Sequence, residues 1–289
     1  MFLKTVILLI CTTSIKCAQN ARIFGGQQRV EPGEFPYNAL INIRVLLSTQ
    51  MKTSCGSILA PKWILVAAHS VYDDIASPNL FEVIAGRYDL LQWTGTEQVR
   101  RVQTVIRHPE YNHAVKGFHD IALLLLTTSL SYNEYVQPVS LVSNLEYPLG
   151  AVGMVTGYGV IQPSGTTASY LSKLSVNILT PETCSNGDAS WNTNLICTDP
   201  GTCEGDSGAP LFLRNGDQWS QIGLISFGFQ CAFYGTPAYY TSVPQYLNWI
   251  NETIVTTNDD DNGSKRTAVP LMGIIVVTCS KIIIGFLAF

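Results

Sequence analysis

The sequence predicts an all-β domain closed by a single helix. Two observations carry the prediction: short apolar or alternating runs recur between turn residues along most of the chain, and helical spacing of apolar residues appears once, near the end. The runs are Tyr37 to Leu47, Phe81 to Ala85, Val99 to Ile106, Gly153 to Val160, Leu171 to Leu179 and Gln221 to Phe227. Each has strand length, and Pro32, Pro36, Pro61, Pro109, Pro148, Pro163 and Pro181 punctuate the connections. A further run, Trp63 to Ala68, reads as a strand ending in the polar turn His69-Ser70. After Pro244, the residues Val243, Tyr246, Leu247, Ile250 and Ile254 share one helical face.

Composition narrows the class. The chain has 289 residues, 46% of them apolar, which is ample for a buried core. Its formal net charge of -4 and 13% charged content come without a basic cluster, so nucleic-acid binding has no electrostatic footprint. Residues 1–17 read as a secretory signal, with Lys4 before the apolar run Thr5 to Thr12 and small residues near Cys17-Ala18. Residues 18–22 then form a short leader to the domain, 23–255. A polar linker follows at 256–267, and an apolar tail at 268–289 is long enough to cross a bilayer. Because that tail ends without a polar segment and small residues precede it, it reads as a glycosylphosphatidylinositol (GPI) attachment signal, with Asn262 or Ser264 as the attachment site. The alternative is a transmembrane helix in which Lys281 snorkels. Either end result places the protein outside the cell, tethered to the outer membrane surface. Asn251-Glu-Thr253 is a glycosylation sequon, and so is Asn262-Gly-Ser264.

The chemistry concentrates in Gly201-Thr-Cys-Glu-Gly-Asp-Ser-Gly-Ala-Pro210, which sets Ser207 in a glycine-flanked loop. A serine hydroxyl is a weak nucleophile unless a neighbouring base takes its proton and a third group orients that base. His69 and Asp120 supply those types in the chain order His, Asp, Ser. Asp120 precedes Ile-Ala-Leu, a setting for a buried carboxylate, whereas His108, His113 and His119 carry no motif. No cysteine and histidine spacing suggests zinc.

From Ile23 to about Ile254 the chain resembles the chymotrypsin family of trypsin-like serine endopeptidases. Four ordered signatures carry the likeness: Arg22-Ile-Phe-Gly-Gly26, Ala67-Ala-His69, Asp120-Ile-Ala-Leu123 and Gly205-Asp-Ser-Gly-Ala-Pro210. The resemblance implies two six-stranded antiparallel barrels with a C-terminal helix and the site between them. His69, Asp120 and Ser207 would be the catalytic triad, and the backbone N–H groups of Gly205 and Ser207 the oxyanion hole. Donors of that kind are worth about 3 to 4 kcal/mol each. Asp206 would receive the new amino group of Ile23 after cleavage at Arg22, so the uncleaved chain would be a zymogen, in need of an activating protease.

The pocket implied by the resemblance consists of Gly201, Thr202, Ser226, Phe227, Gly228 and Ala238. Trypsin-like relatives place an aspartate six residues before the nucleophile, and Gly201 stands there, so an apolar, chymotrypsin-like specificity is expected, with an elastase-like one as alternative. Discrimination in such slots is about 1 to 3 kcal/mol per methylene. Substrates are proteins or peptides, protein inhibitors are natural partners, and no cofactor is implied. A cascade protease and a non-catalytic binding homologue are the competing functions, the second opposed by the intact triad.

Of eight cysteines, Cys11 and Cys17 fall in the signal and Cys279 in the tail. By resemblance Cys184 pairs with Cys197 and Cys203 with Cys231, each bridge worth about 2 to 4 kcal/mol. Cys55 is expected as a buried thiol, because Ser70 stands where most relatives carry its partner. Many relatives also bind calcium at the stretch corresponding to Arg87 to Glu97; here the guanidinium of Arg87 opposes a cation, and a pairing of Arg87 with Glu97 is expected instead.

Overall fold

The computed structural model describes residues 28–45, 51–71, 77–115, 117–142, 150–159, 168–185, 192, 194–200, 206–228, 237–261 and 276–277. The signal, Arg22, Ile23, Gly201, Thr202, Cys203, Gly205, Cys231, Asn262, Ser264 and nearly all of the apolar tail lie outside these residues.

The strands are β1 Gln28–Arg29, β2 Asn38–Arg44, β3 Met51–Ala60, β4 Trp63–Val66, β5 Phe81–Ala85, β6 Gln98–Arg107, β7 Ala122–Leu126, β8 Ser140–Val142, β9 Val152–Gly157, β10 Ser172–Asn177, β11 Leu195–Thr198, β12 Pro210–Asn215, β13 Gln218–Gly228, β14 Ala238–Ser242 and β15 Val276–Val277. The first half closes into a six-stranded antiparallel barrel in the order β2-β3-β4-β7-β6-β5. In the second half the path β10-β9-β12-β13-β14-β11 is antiparallel, and a bridge between Ile178 and Thr198 joins its two edges. β1 adds to β10, while β8 runs parallel to β13 and carries β15. The expected pair of six-stranded barrels is therefore present, with accessory strands on the second.

Two strands of the first barrel, β4 and β7, are apolar throughout and buried throughout. A strand with one wet face would alternate; these have none. In β7 the side chains of Ala122, Leu124 and Leu126 fill the first barrel, while Leu123 and Leu125, with Ile121 just before the strand, join the core shared with the second. β4 divides the same way, Ile64 and Val66 inward and Trp63 and Leu65 toward the second barrel. These are the two strands that lead to Asp120 and His69, so both site residues are anchored on elements packed from both sides.

Polar bonds also cross the seam. Thr156 Oγ1 donates to Asn38 Oδ1 (2.7 Å), Ser57 Oγ to Gln221 Oε1 (2.6 Å) and Tyr158 Oη to the Arg87 carbonyl (2.5 Å). Each is buried and satisfied, which fixes the barrels in one relative position more strictly than apolar contact could.

Val243–Tyr246 forms a 3₁₀ turn that runs into the helix Leu247–Asp261. Val243, Tyr246, Ile250 and Ile254 are buried as their spacing requires. The helix continues to Asp261, through acidic residues that the sequence assigns to a linker. Asn251 of the sequon lies on this helix and is half-buried.

Cys184 and Cys197 form the expected disulfide, with Cα atoms 5.9 Å apart. Arg87 and Glu97 also pair, at 3.1 Å, with side chains only 8% and 1% exposed. Burial acts first to raise the Glu97 pKa, but the N–H groups of Thr94 and Gly95 outweigh it and hold the carboxyl below its usual range. The guanidinium also donates to the Leu90 carbonyl and lies 4.1 Å from the Trp93 ring centre. Removing one member of a buried pair strands the other charge, so Arg87→Ala should cost about 3 kcal/mol in urea denaturation, measured on a Ser207→Ala background to prevent self-digestion. Added calcium should leave the melting temperature unchanged.

Candidate active site

His69 lies in the 3₁₀ turn Ala68–Val71 that ends β4, and Asp120 immediately precedes Ile121 and β7. Because β4 and β7 are paired, with Val66 opposite Ala122, the two residues leave the sheet at the same rim. The Asp120 carboxylate is 3% exposed, a position no charge occupies cheaply without partners. It has three donors: His69 N to Oδ1 at 2.8 Å, His69 Nδ1 to Oδ2 at 2.8 Å, and Ser226 Oγ to Oδ2 at 2.5 Å. Thr241 Oγ1 donates to the Asp120 carbonyl (2.9 Å). With the proton on Nδ1 facing this carboxylate, Nε2 carries the lone pair of a general base, and an imidazolium formed there is stabilised by the adjacent charge.

Ser207 is half-buried in the turn before β12. Its carbonyl accepts from Cys55 N at 2.9 Å and from Ser54 Oγ at 2.8 Å. The nucleophile's loop, which belongs to the second barrel, is thus fastened to β3 of the first. Gly208 follows with φ 74°, and a Cβ there would sit 2.5 Å from the Cys55 carbonyl. Only glycine lets the loop come this close.

Asp206 is fully buried, and its Oδ1 accepts from Gly159 N at 2.8 Å. Two glycines shape its niche: a Cβ at Gly157 would lie 2.2 Å from Asp206 Oδ1, and one at Gly159 2.4 Å from Asp206 Cγ. The Thr241 contact and the role of Ser226 as a donor to Asp120 have no local signal in the sequence, and the niche of Asp206 has only the glycine pair flanking Tyr158.

The expected relation between Cys55 and Ser70 is corrected by the fold. Opposite Ser70 stands Ser54, whose Oγ lies 2.9 Å from Ser70 Oγ and can accept its proton while donating its own to the Ser207 carbonyl. Alternation along β3 turns neighbouring side chains to opposite faces, so Cys55 cannot take the same place. Its thiol is buried as expected, and burial together with the Asp206 charge pushes its pKa up, which keeps it an inert thiol.

Of the candidate pocket residues that are described, Phe227, Gly228 and Ala238 lie at the paired ends of β13 and β14, where Phe227 stands opposite Tyr239 and Gly228 opposite Ala238. The Phe227 and Tyr239 rings stack at 4.6 Å. Ala238 is buried, and a Cβ added to Gly228 would meet nothing within 4 Å. Gly201, Thr202 and Gly205 belong to the same proposed site but lie outside the described residues.

An imidazole oriented by a buried carboxylate, beside a serine loop clamped across the seam of two β-barrels, defines a serine endopeptidase. The trypsin family model matches residues 23–250, and the chain belongs to that family. It is 36% identical over 242 residues to coagulation factor IX of Cavia porcellus, covering 79% of this chain and 80% of that one. Coagulation factor IX of Oryctolagus cuniculus is likewise 36% identical over 242 residues, 79% of this chain and 83% of its own. Coagulation factor XI of Bos taurus is 32% identical over 254 residues, 84% of this chain but 39% of the longer protein.

Two substitutions separate the site's parts. Asp120→Asn should retain the fold and lower kcat by about four orders of magnitude, because the amide selects the wrong imidazole tautomer. Gly159→Ala should displace the Asp206 carboxylate and lower kcat/KM at least about tenfold with little change in secondary structure, read by peptide hydrolysis and circular dichroism.

Proposed function

We propose that this endopeptidase is secreted as a zymogen, cleaved after Arg22, and hydrolyses peptide bonds after large hydrophobic residues. The observation that carries the specificity is Gly201, which stands six residues before the nucleophile, where an anion would be needed to hold arginine or lysine. Gly228 with open space at its Cα and the small, buried Ala238 are consistent with an apolar slot. Elastase-like preference for smaller side chains is the narrower alternative. Activation rests on Asp206: a fully buried carboxylate is stabilised by a cation beside it, and the amino group of Ile23 is the one that cleavage would create.

In the mature site, Ser207 Oγ attacks the scissile carbonyl as His69 Nε2 takes its proton. Asp120 stabilises the imidazolium, and the N–H groups of Gly205 and Ser207 receive the charge on the carbonyl oxygen. His69 then protonates the leaving amine, and water repeats the sequence on the acyl-enzyme. The apolar C-terminal segment supports a surface tether through a GPI anchor, and Asn251 is the proposed glycan site. Similarity to coagulation factors favours limited proteolysis of a protein target as a second reading of the physiological role.

Expression of the precursor, activation at Arg22, and assay of peptides varied before the scissile bond tests this reading. Phenylalanine, tyrosine or leucine should exceed arginine by at least about tenfold in kcat/KM. Ser207→Ala should abolish hydrolysis, and Arg22→Gln should leave the precursor inactive. A preference for arginine would overturn the pocket assignment.

A further inference from the structure

Three side chains able to ligate a metal, His108, Glu110 and His119, meet in the connection that leads to Asp120. β6 ends at Arg107 and β7 begins at Ala122, and the connection closes on itself through His108 N, which donates to the Ile121 carbonyl at 3.0 Å. This closure stacks the rings of His108 and His119, with centres 4.6 Å apart and planes 7° from parallel. Glu110 reaches back over them, placing Oε2 3.6 Å from His119 Nε2. One ligand atom from each of His108, Glu110 and His119 lies within 4.8 Å of the other two.

We infer that His108, Glu110 and His119 form a binding site for one zinc-class divalent ion. Two imidazoles and a carboxylate are a donor set that zinc accepts, completed by water in a fourth position, whereas calcium and magnesium favour oxygen alone. Tetrahedral binding with bonds of about 2.0 to 2.2 Å needs ligand atoms about 3.5 Å apart, so the trio must contract by about 1 Å. The Glu110 side chain, 71% exposed, has the freedom to move, and the two rings must rotate out of their parallel stack so that their in-plane lone pairs converge on the ion.

The surroundings suit an ion. His119 Nδ1 and Tyr246 Oη lie 3.3 Å apart; with the proton on Nδ1 this bond orients the ring and leaves the Nε2 lone pair facing the Glu110 carboxylate, an arrangement that a cation between them satisfies. His108 Nδ1 accepts from Glu110 N at 3.3 Å, a long bond that competes weakly with coordination. The Tyr246 and Trp249 rings pack against His108 at 5.3 and 5.0 Å and limit solvent on that side. His119 is the described non-glycine residue with positive φ, 49°, and its carbonyl accepts from Ile121 N across Asp120. An ion held there would brace the backbone that carries the catalytic aspartate.

Zinc titration of the full folded chain carrying Ser207→Ala, by calorimetry and thermal unfolding, tests the assignment. One equivalent should bind and raise the melting temperature. His108→Ala and Glu110→Gln should each weaken binding at least tenfold, and His113→Ala should not. Cobalt should substitute with visible absorption of a low-coordinate nitrogen and oxygen site, lost in His108→Ala. Equal affinity in wild type and His108→Ala, as for zinc captured by the His69–Asp120 pair, would overturn the proposal, and so would an equal loss in His113→Ala.

Discussion

The buried carboxylate of Asp120 is the interaction on which the geometry of the site depends. An anion at 3% exposure is tolerable only if donors are already aimed at it, and these come from two places: the backbone and ring of His69 from the first barrel, the hydroxyl of Ser226 from the second. Satisfying one charge therefore requires both barrels to be docked. The same bonds fix the tautomer of His69, so a demand of stability and a demand of catalysis are met by one arrangement. β4 and β7, which lead to these residues, are buried on both faces because their side chains divide between the two cores.

A second constraint acts through backbone approach. The Ser207 loop comes within hydrogen-bonding distance of β3 because Gly208 has no side chain, and Asp206 fits beneath because Gly157 and Gly159 have none. The nucleophile is thus held by its main chain, through Cys55 N and Ser54 Oγ, while its side chain remains available for chemistry. Close packing of backbone on backbone gives a positional precision that flexible side chains could not, and effective nucleophilic attack needs that precision.

Where this chain differs from the pattern its resemblance implies, local chemistry has filled the gap. Ser54 and Ser70 hydrogen bond beside His69, and the Arg87–Glu97 pair closes a loop that a cation would otherwise organise. Both are short-range: the first joins β3 to the turn after β4, and the second lies within the connection from β5 to β6. The sequence revealed the Arg87 pairing because both residues lie within one loop. It misassigned Ser70 because a one-residue offset along β3 exchanges the two faces of the strand, an ambiguity that only the register with β4 resolves.

The sequence by itself determined the all-β class, the terminal helix face and the triad residue types, each written in local periodicity or in a contiguous motif, while the Cys184–Cys197 bridge was implied only by the family resemblance. Tertiary structure decided what depends on residues far apart in the chain. It brought Ser226 and Thr241 to Asp120, set Gly157 and Gly159 around Asp206, closed the second barrel through Ile178 and Thr198, and gathered His108, Glu110 and His119 at one rim. Period and propensity report the neighbours a residue has along its own element; which elements meet is fixed by burying two shared cores at once, and that choice has no local signature.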